Sequence, residues 1–590
     1  MGLRRGIYAF GTLIAGTGLL AESPALAQSV APTREELTRP ELAPPQQKST
    51  LNVTGGVERS PCPLANPEFN DVRVTITNVD FNNLKGATPE EMRATWADFA
   101  NTEHPVSVIC EIRDRAATYL RGKGYLAAVQ VPTQRIENGQ VRLELLYARV
   151  TTIRARGQTG GAEAKLAGYL HKLTEDEIFD RNRAERYLLL ARDLPGYNVQ
   201  LVLKPAGTGP GELVGEVSVI RRPYSVDFMV SNLAAEETGR WGGQLRGQVS
   251  GLTGLGDSTY VSIYSTSDFK EQQIFQAGHS FRPGSEGLTV NSQFTYAWSK
   301  PSIQIDEGDP DLKSRTLFAT LGVAYPLIRT QSKNLSLGAG FDFINQKTDF
   351  FVPLSRDRMR ILWARADFDA IDLRSRRPKW HLAGTAELRH GIDILDASKP
   401  CILVGFECAD GSTPQSRFNG DPTATVIRFN GTAELGIGNA LAVVVLPRAQ
   451  YAFDKLLAFE QFTVGNYTVG RGYDPSALTG DSGAGVAVEL RGPRLTPFRR
   501  TPLQVQPYLF GDAAWTWTRD DPLEDVAGAH FDDPRHVKSV GGGLRGEFSD
   551  RAALDVAVAV PLNRVGLFED RDRPGPRFLL TLTTRLLPWS

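Results

Sequence analysis

The nonapeptide LSLGAGFDF, residues 335–343, decides how the larger part of this chain folds. Leu335, Leu337, Ala339, Phe341 and Phe343 fall on one face of an extended strand, and Ser336, Gly338, Gly340 and Asp342 fall on the other. LDVAVAV, residues 554–560, repeats the pattern, with Leu554, Val556, Val558 and Val560 opposite Asp555, Ala557 and Ala559. From Tyr224 to Ser590 this two-residue period recurs and helical periodicity disappears. About sixteen segments can be placed, beginning near Tyr224, Trp241, Thr259, Gln272, Leu288, Arg315, Asn334, Met359, Trp380, Thr423, Ala440, Val486, Leu503, Val537, Ala552 and Arg577. An even number near sixteen suits an antiparallel transmembrane β-barrel.

The faces separate a barrel from a soluble sandwich. A sandwich turns its apolar face into a core, whereas a membrane barrel turns it towards lipid and lines its lumen with small polar residues. Glycine and serine sit on the polar face here, so outer-membrane lipid is the expected surround. Met1–Ala27 reads as a secretory signal peptide, with Arg4 and Arg5 ahead of an apolar run from Ile7 to Leu20 and small residues at Ala25-Leu26-Ala27. That run is shorter than the ~20 residues of a spanning helix, and no later stretch is longer without charges. The final segment, FLLTLTTRLLPW, suits a closing strand with Trp589 at the interface, although Ser590 follows where an aromatic is usual.

Ahead of the barrel the character differs. Residues 28–70 carry seven prolines, Pro32, Pro40, Pro44, Pro45, Pro61, Pro63 and Pro67, and read as a linker in which only Thr33–Leu37 could be helical. Residues 71–150 run strand, helix, helix, strand, strand. VRVTITNVDF opens the unit, Thr88-Pro89-Glu90-Glu91 caps the first helix, and Val108, Ile112, Ala116 and Leu120 share a face of the second. YLAAVQV, the turn Glu137-Asn138-Gly139 and VRLELLYARV complete it. Residues 151–223 repeat that order, with helices near 162–173 and 182–194 and the final strands YNVQLVLK and ELVGEVSVI. The fold class is therefore mixed: two small α/β modules of βααββ order, then a barrel over 224–590. A formal net charge of −1 across 590 residues argues against nucleic acid as a partner.

Two such modules before a barrel of this size resemble the two-partner secretion transporters, which include the hemolysin secretion and activation proteins. The resemblance implies that the modules are periplasmic POTRA (polypeptide-transport-associated) domains. It implies an outer-membrane pore that recognises a large exoprotein of the adhesin or cytolysin class in unfolded form, and that needs the barrel-assembly machinery for its own insertion. It also assigns residues. Arg471, Gly472 and Tyr473, in VGRGYDP, match an arginine-glycine-tyrosine motif at the tip of a loop folded into the lumen, here near 466–484. Phe510 and Asp512 match a Phe-x-Asp-x-Gly motif on a following strand, with Ala514 where the glycine stands.

Strand parity in LQVQPYLFGDAAWTW puts Leu503, Val505, Leu509, Trp515 and Trp517 towards lipid. Gln504, Gln506, Tyr508, Phe510, Asp512 and Ala514 then face the lumen. Asp512 is thus the expected acceptor for Arg471, whose flanking Gly470 and Gly472 let the turn take positive φ. Family members often carry an N-terminal plug helix; Thr33–Leu37 is the only candidate here and gives it weak support. Other readings are a barrel-assembly factor of the same superfamily, which usually has more POTRA modules, and a passive solute porin.

Export and an even cysteine count lead us to expect two disulfides, Cys62 with Cys110 and Cys401 with Cys408. No catalytic residue, cofactor or metal site is expected. Gly480-Asp481-Ser482-Gly483 resembles a protease nucleophile loop without a placed histidine, and the AGHSFRP segment around Ser280 has Arg282 in place of a required glycine. His530 and His536 with Asp532 and Asp533, and the acidic run Asp306–Asp311, lack ligand spacing. Gly541–Gly543 are expected in a strand rather than opening a helix, which gives phosphate binding little support.

Overall fold

In a computed structural model, the alternating segments close into a barrel of sixteen antiparallel strands. The structure describes residues 31–38, 52–53, 61–302, 312–375, 378–399, 401, 403–404, 407–417, 419–438, 440–498, 500–519, 535–549, 551–565 and 574–587. The barrel strands are β1 Tyr224–Ser231, β2 Gly242–Ser250, β3 Ser258–Thr266, β4 Gln272–Phe281, β5 Thr289–Ser299, β6 Leu312–Arg329, β7 Lys333–Phe350 and β8 Val352–Ile371. They continue as β9 Trp380–Gly391, β10 Thr425–Ile437, β11 Leu441–Ala452, β12 Ser482–Arg491, β13 Leu503–Trp517, β14 Arg535–Phe548, β15 Ala552–Pro561 and β16 Arg577–Leu587. β1 pairs with β16, so no edge is left for lipid to face.

The lipid and lumen faces follow the alternation. Leu337 is 45% exposed and Leu509 63%, whereas Asp342 and Phe510, of opposite parity, are 2% and 6% exposed to solvent. β8 starts well before the expected Met359, because Ser355, Arg356, Asp357 and Arg358 pair with residues 345–348 of β7. Those polar residues satisfy their backbone in a hairpin that outruns the ~10 residues a bilayer requires.

In the first N-terminal module, helices Pro89–Arg93 and Val108–Lys123 pack on a sheet ordered Asn78–Asn82, Gln140–Tyr147, Ala127–Gln130. VRVTITNVDF is two strands rather than one: Arg73–Thr75 pairs with Glu103–Pro105, and Asn78–Asn82 joins the main sheet. The break falls where Thr77 and Asn78 both donate backbone N–H to the Gly139 carbonyl. In the second module, Arg149–Gly157, helices Glu163–His171 and Arg181–Arg192, and strands Tyr197–Pro205 and Glu212–Arg221 repeat the order around a core that includes Leu166, Tyr169 and Val217. The second helix docks on the barrel. Asp193 takes a two-pronged bond from Arg329, at 2.7 Å to Nε and 2.6 Å to Nη2, and Arg186 Nη2 donates to the Pro326 carbonyl at 2.9 Å.

Cys62 and Cys110 are disulfide-bonded with Cα atoms 5.9 Å apart, which fastens the segment before the first module to helix Val108–Lys123. Cys401 and Cys408 are bonded within the connection from β9 to β10. The signal peptide, Asp306–Asp311, His530, Asp532, Asp533, Trp589 and Ser590 lie outside the described residues. His536 sits on β14 with Asn563 Nδ2 3.3 Å away, and no group of potential metal ligands occurs among the described residues.

Candidate functional site

The connection from β11 to β12 spans 453–481 and turns back into the barrel, so it starts earlier than the expected 466, and Ser482, Gly483 and Ala484 belong to β12. Its apolar residues explain the fold-back. Phe462, Val464, Val469, Tyr473 and Leu478 form a buried cluster with Ala514 and Val537 of the wall, and the hairpin Phe462–Val464 with Leu478–Gly480 stiffens the loop. Ala514 is completely buried here, so its methyl group is part of the contact rather than an obstacle to it.

Arg471 stands at the tip. Its Nη2 lies 2.7 Å from Asp512 Oδ1, its Nε donates to Oδ2 at 3.1 Å, and its own backbone N–H donates to Oδ2 at 2.9 Å. The remaining arm, Nη1, reaches Glu489 Oε1 at 2.7 Å, and the guanidinium carbon stacks 3.7 Å over the Phe510 ring. Burial disfavours the charged guanidinium. Hydrogen bonding and attraction to Asp512, then Glu489, outweigh that penalty and hold Arg471 above the ordinary arginine range. Gly470 has φ +113°, as a tight turn requires, whereas Gly472 serves by its missing side chain: a Cβ there would lie 2.9 Å from Pro561 N and 3.0 Å from Ser539 Cβ. The Tyr473 hydroxyl lies 2.9 Å from the Lys538 carbonyl and accepts the Asn563 N–H at 2.9 Å.

Glu489 was not singled out by sequence reasoning, and it is the centre of the network. It also receives Arg545, at 2.9 Å on both oxygens, and Arg491 at 2.9 Å; Arg545 continues to Asp555. The signal was present in GVAVEL, where Val486, Val488 and Leu490 share the lipid parity and leave Glu489 to the lumen. Ser539, on β14, completes the site by donating to Asp512 Oδ2 at 3.0 Å.

Two further ion-pair groups hold the loop's ends. Arg389, 2% exposed, bonds Asp342 at 2.8 Å, Glu387 at 2.9 Å and the loop residue Glu460 at 2.9 Å. Asp481, from the protease-like stretch, is fully buried, pairs with Arg417, and accepts the backbone N–H of Leu456 and Arg519. It acts as an anchor.

Residues 31–38 of the linker also enter the lumen. Arg34–Leu37 forms a single helical turn closed by a reciprocal Thr33 and Glu36 cap. Arg34 pairs with Glu387 at 3.1 Å, Glu35 pairs with Arg448, and the fully buried Leu37 packs among Tyr264, Phe318, Ile361 and Phe459. Sequence alone offered Thr33–Leu37 as the one helical piece of the linker and a weakly supported plug candidate; its partners come from distant strands and leave no trace in local sequence.

The model of the haemolysin secretion/activation protein ShlB/FhaC/HecB family matches residues 217–531, and the chain belongs to that family. A ShlB-type POTRA domain model matches residues 74–147. Among solved structures, CdiB from Escherichia coli is similar with a TM-score of 0.70 at 16% identity, covering 90% of this chain and 94% of that one. CdiB from Acinetobacter baumannii gives 0.64 at 15%, covering 96% and 99%. BamA from Haemophilus ducreyi lacking POTRA domains 1–3 gives 0.51 at 12%, covering 87% and 100%. No curated protein sequence matches. The chain is an outer-membrane secretion pore with periplasmic POTRA domains.

Proposed function

We propose that the pore exports one large exoprotein by two-partner secretion. The mature chain starts after the signal peptide, and residues 71–150 and 151–223 receive the unfolded partner before it enters the barrel. The exoprotein is of the adhesin or cytolysin class, and the barrel-assembly machinery inserts the pore itself. The observation that supports this reading most is the loop 453–481, which occupies the lumen and is held at its tip by Arg471 through Asp512 and Glu489. A passive porin has no use for such a clasp together with two periplasmic modules. The pore supplies a path, and folding of the partner outside supplies the drive.

Likeness of fold to BamA favours a second reading, insertion of other barrels. Deletion of the gene followed by protein inventory of medium and outer membrane separates them. Loss of one large polypeptide from the surface and medium supports export; loss of many barrels supports insertion.

A further inference from the structure

β1 follows the periplasmic modules, so odd-numbered strands run outwards and even-numbered strands run inwards. β6 and β8 therefore begin, and β7 ends, on the outer side of the membrane. These strands have 18, 20 and 18 residues, against the ~9–11 that cross lipid. On their lipid-facing parity the apolar positions run from Leu317 to Tyr325 in β6, from Leu335 to Phe343 in β7 and from Leu362 to Ala370 in β8. Further out, the same parity turns cationic.

Arg315 lies directly opposite Lys347, and Lys347 directly opposite Arg356. Arg315 and Arg356 are exposed and Lys347 is half-exposed. Three cations abreast on neighbouring strands, spanning ~10 Å, repel one another. Among the described residues, neither the Arg315 nor the Arg356 guanidinium has a hydrogen-bond or ion-pair partner. Two acids nearby are already engaged, Asp349 with Lys347 at 2.9 Å and Asp396 with Arg358. The row is therefore short of negative charge.

Trp298 of β5 fixes its depth. It lies opposite Arg315 on the same face, is 44% exposed, and sets its ring edge-on to Tyr296. Tryptophan and tyrosine on a barrel's outer wall mark the level of the lipid headgroups. The cations thus stand at headgroup level, above exposed Leu321 and Leu362 of the apolar band. A phosphate there takes the two-pronged geometry that arginine offers and cancels the repulsion along the row.

We propose that Arg315, Lys347 and Arg356 form a site on the outer wall of the barrel for the phosphate groups of an outer-leaflet lipid, whose acyl chains lie along the apolar band beneath. Lipopolysaccharide is the lipid of this chemistry. The site requires only that the barrel sits in the outer membrane and is independent of what the pore exports.

The test uses the full-length protein in detergent and fluorescent lipopolysaccharide, with binding read by anisotropy and the dephosphorylated lipid as control. We expect dephosphorylation to weaken binding at least tenfold, and binding of the phosphorylated form to fall with salt. The double variant Arg315→Gln, Arg356→Gln, changed at two exposed positions, should weaken it at least tenfold. Lys379→Gln, which removes an exposed cation from the periplasmic turn between β8 and β9, should change it less than twofold. Equal binding of the two lipid forms, or an equal loss in the double variant and in Lys379→Gln, overturns the inference. So does full displacement of the lipid by an equimolar amount of inorganic phosphate, which would make this a site for a free anion.

Discussion

Replacing Arg471 by Ala removes the one side-chain cation that Asp512 contacts among the described residues, while leaving two donors, Ser539 Oγ and the residue 471 backbone N–H. The Asp512 side chain is fully buried, and truncating one partner of a buried pair costs about 3 to 5 kcal/mol. The two surviving donors put the loss at the lower end, about 3 kcal/mol, or roughly a hundredfold shift in the loop's equilibrium between held and released positions. Glu489 responds differently. Arg545 and Arg491 still neutralise it, so its coupling to Arg471 should be about 1 kcal/mol. Hydrogen exchange of residues 462–480 in Arg471→Ala, Asp512→Asn and Glu489→Gln, with the double variants, reads both couplings. Arg471→Lys should recover little, because a single ammonium cannot reach both carboxylates in the fork geometry. Export should fall with loop protection while the barrel remains inserted. A coupling below about 0.5 kcal/mol between Arg471 and Asp512, or normal export by Arg471→Ala, refutes this account of the clasp.

Three other outcomes follow from the packing. Breaking the Cys62–Cys110 bond, which closes a 48-residue separation, should cost the first module about 4 kcal/mol by chain entropy, seen as a lower urea midpoint for its unfolding in reductant. Gly541→Val should disrupt pairing of β13 with β14, since a Cβ there lies 2.5 Å from Phe510 Cζ; loss of the heat-modifiable band on unboiled gels reports it. Leu37→Glu places a carboxylate among Tyr264, Phe318 and Ile361 and should drive the Arg34–Leu37 turn from the lumen, raising single-channel conductance in planar bilayers.

Strand positions were legible because lipid imposes a strict face on every second residue: each of the sixteen strands begins near its expected start, with β8 the exception for the reason given above. The same parity placed Asp512 and Phe510 on the lumen side. What sequence could not supply was long-range company. Glu489 looks like any lumenal carboxylate until three arginines from one loop and two strands converge on it. Asp481 looked like part of a protease motif until Arg417 met it across the connection from β9 to β10. The Arg34–Leu37 turn is too short to be stable alone, and its burial depends on strands hundreds of residues away.

The claim that matters most is that the exported chain travels through the lumen rather than along the outer wall. Gln244 and Leu245 are neighbours on β2 with opposite faces: Gln244 bonds the lumenal Ser262 at 2.7 Å, and Leu245 is 48% exposed on the lipid side. A photo-reactive amino acid placed at each position, in cells exporting the partner with its transit stalled by a folded C-terminal fusion, tests the path directly. The account predicts adducts to the exoprotein from position 244 and none from 245; adducts from 245 alone, or equal adducts from both, contradict it.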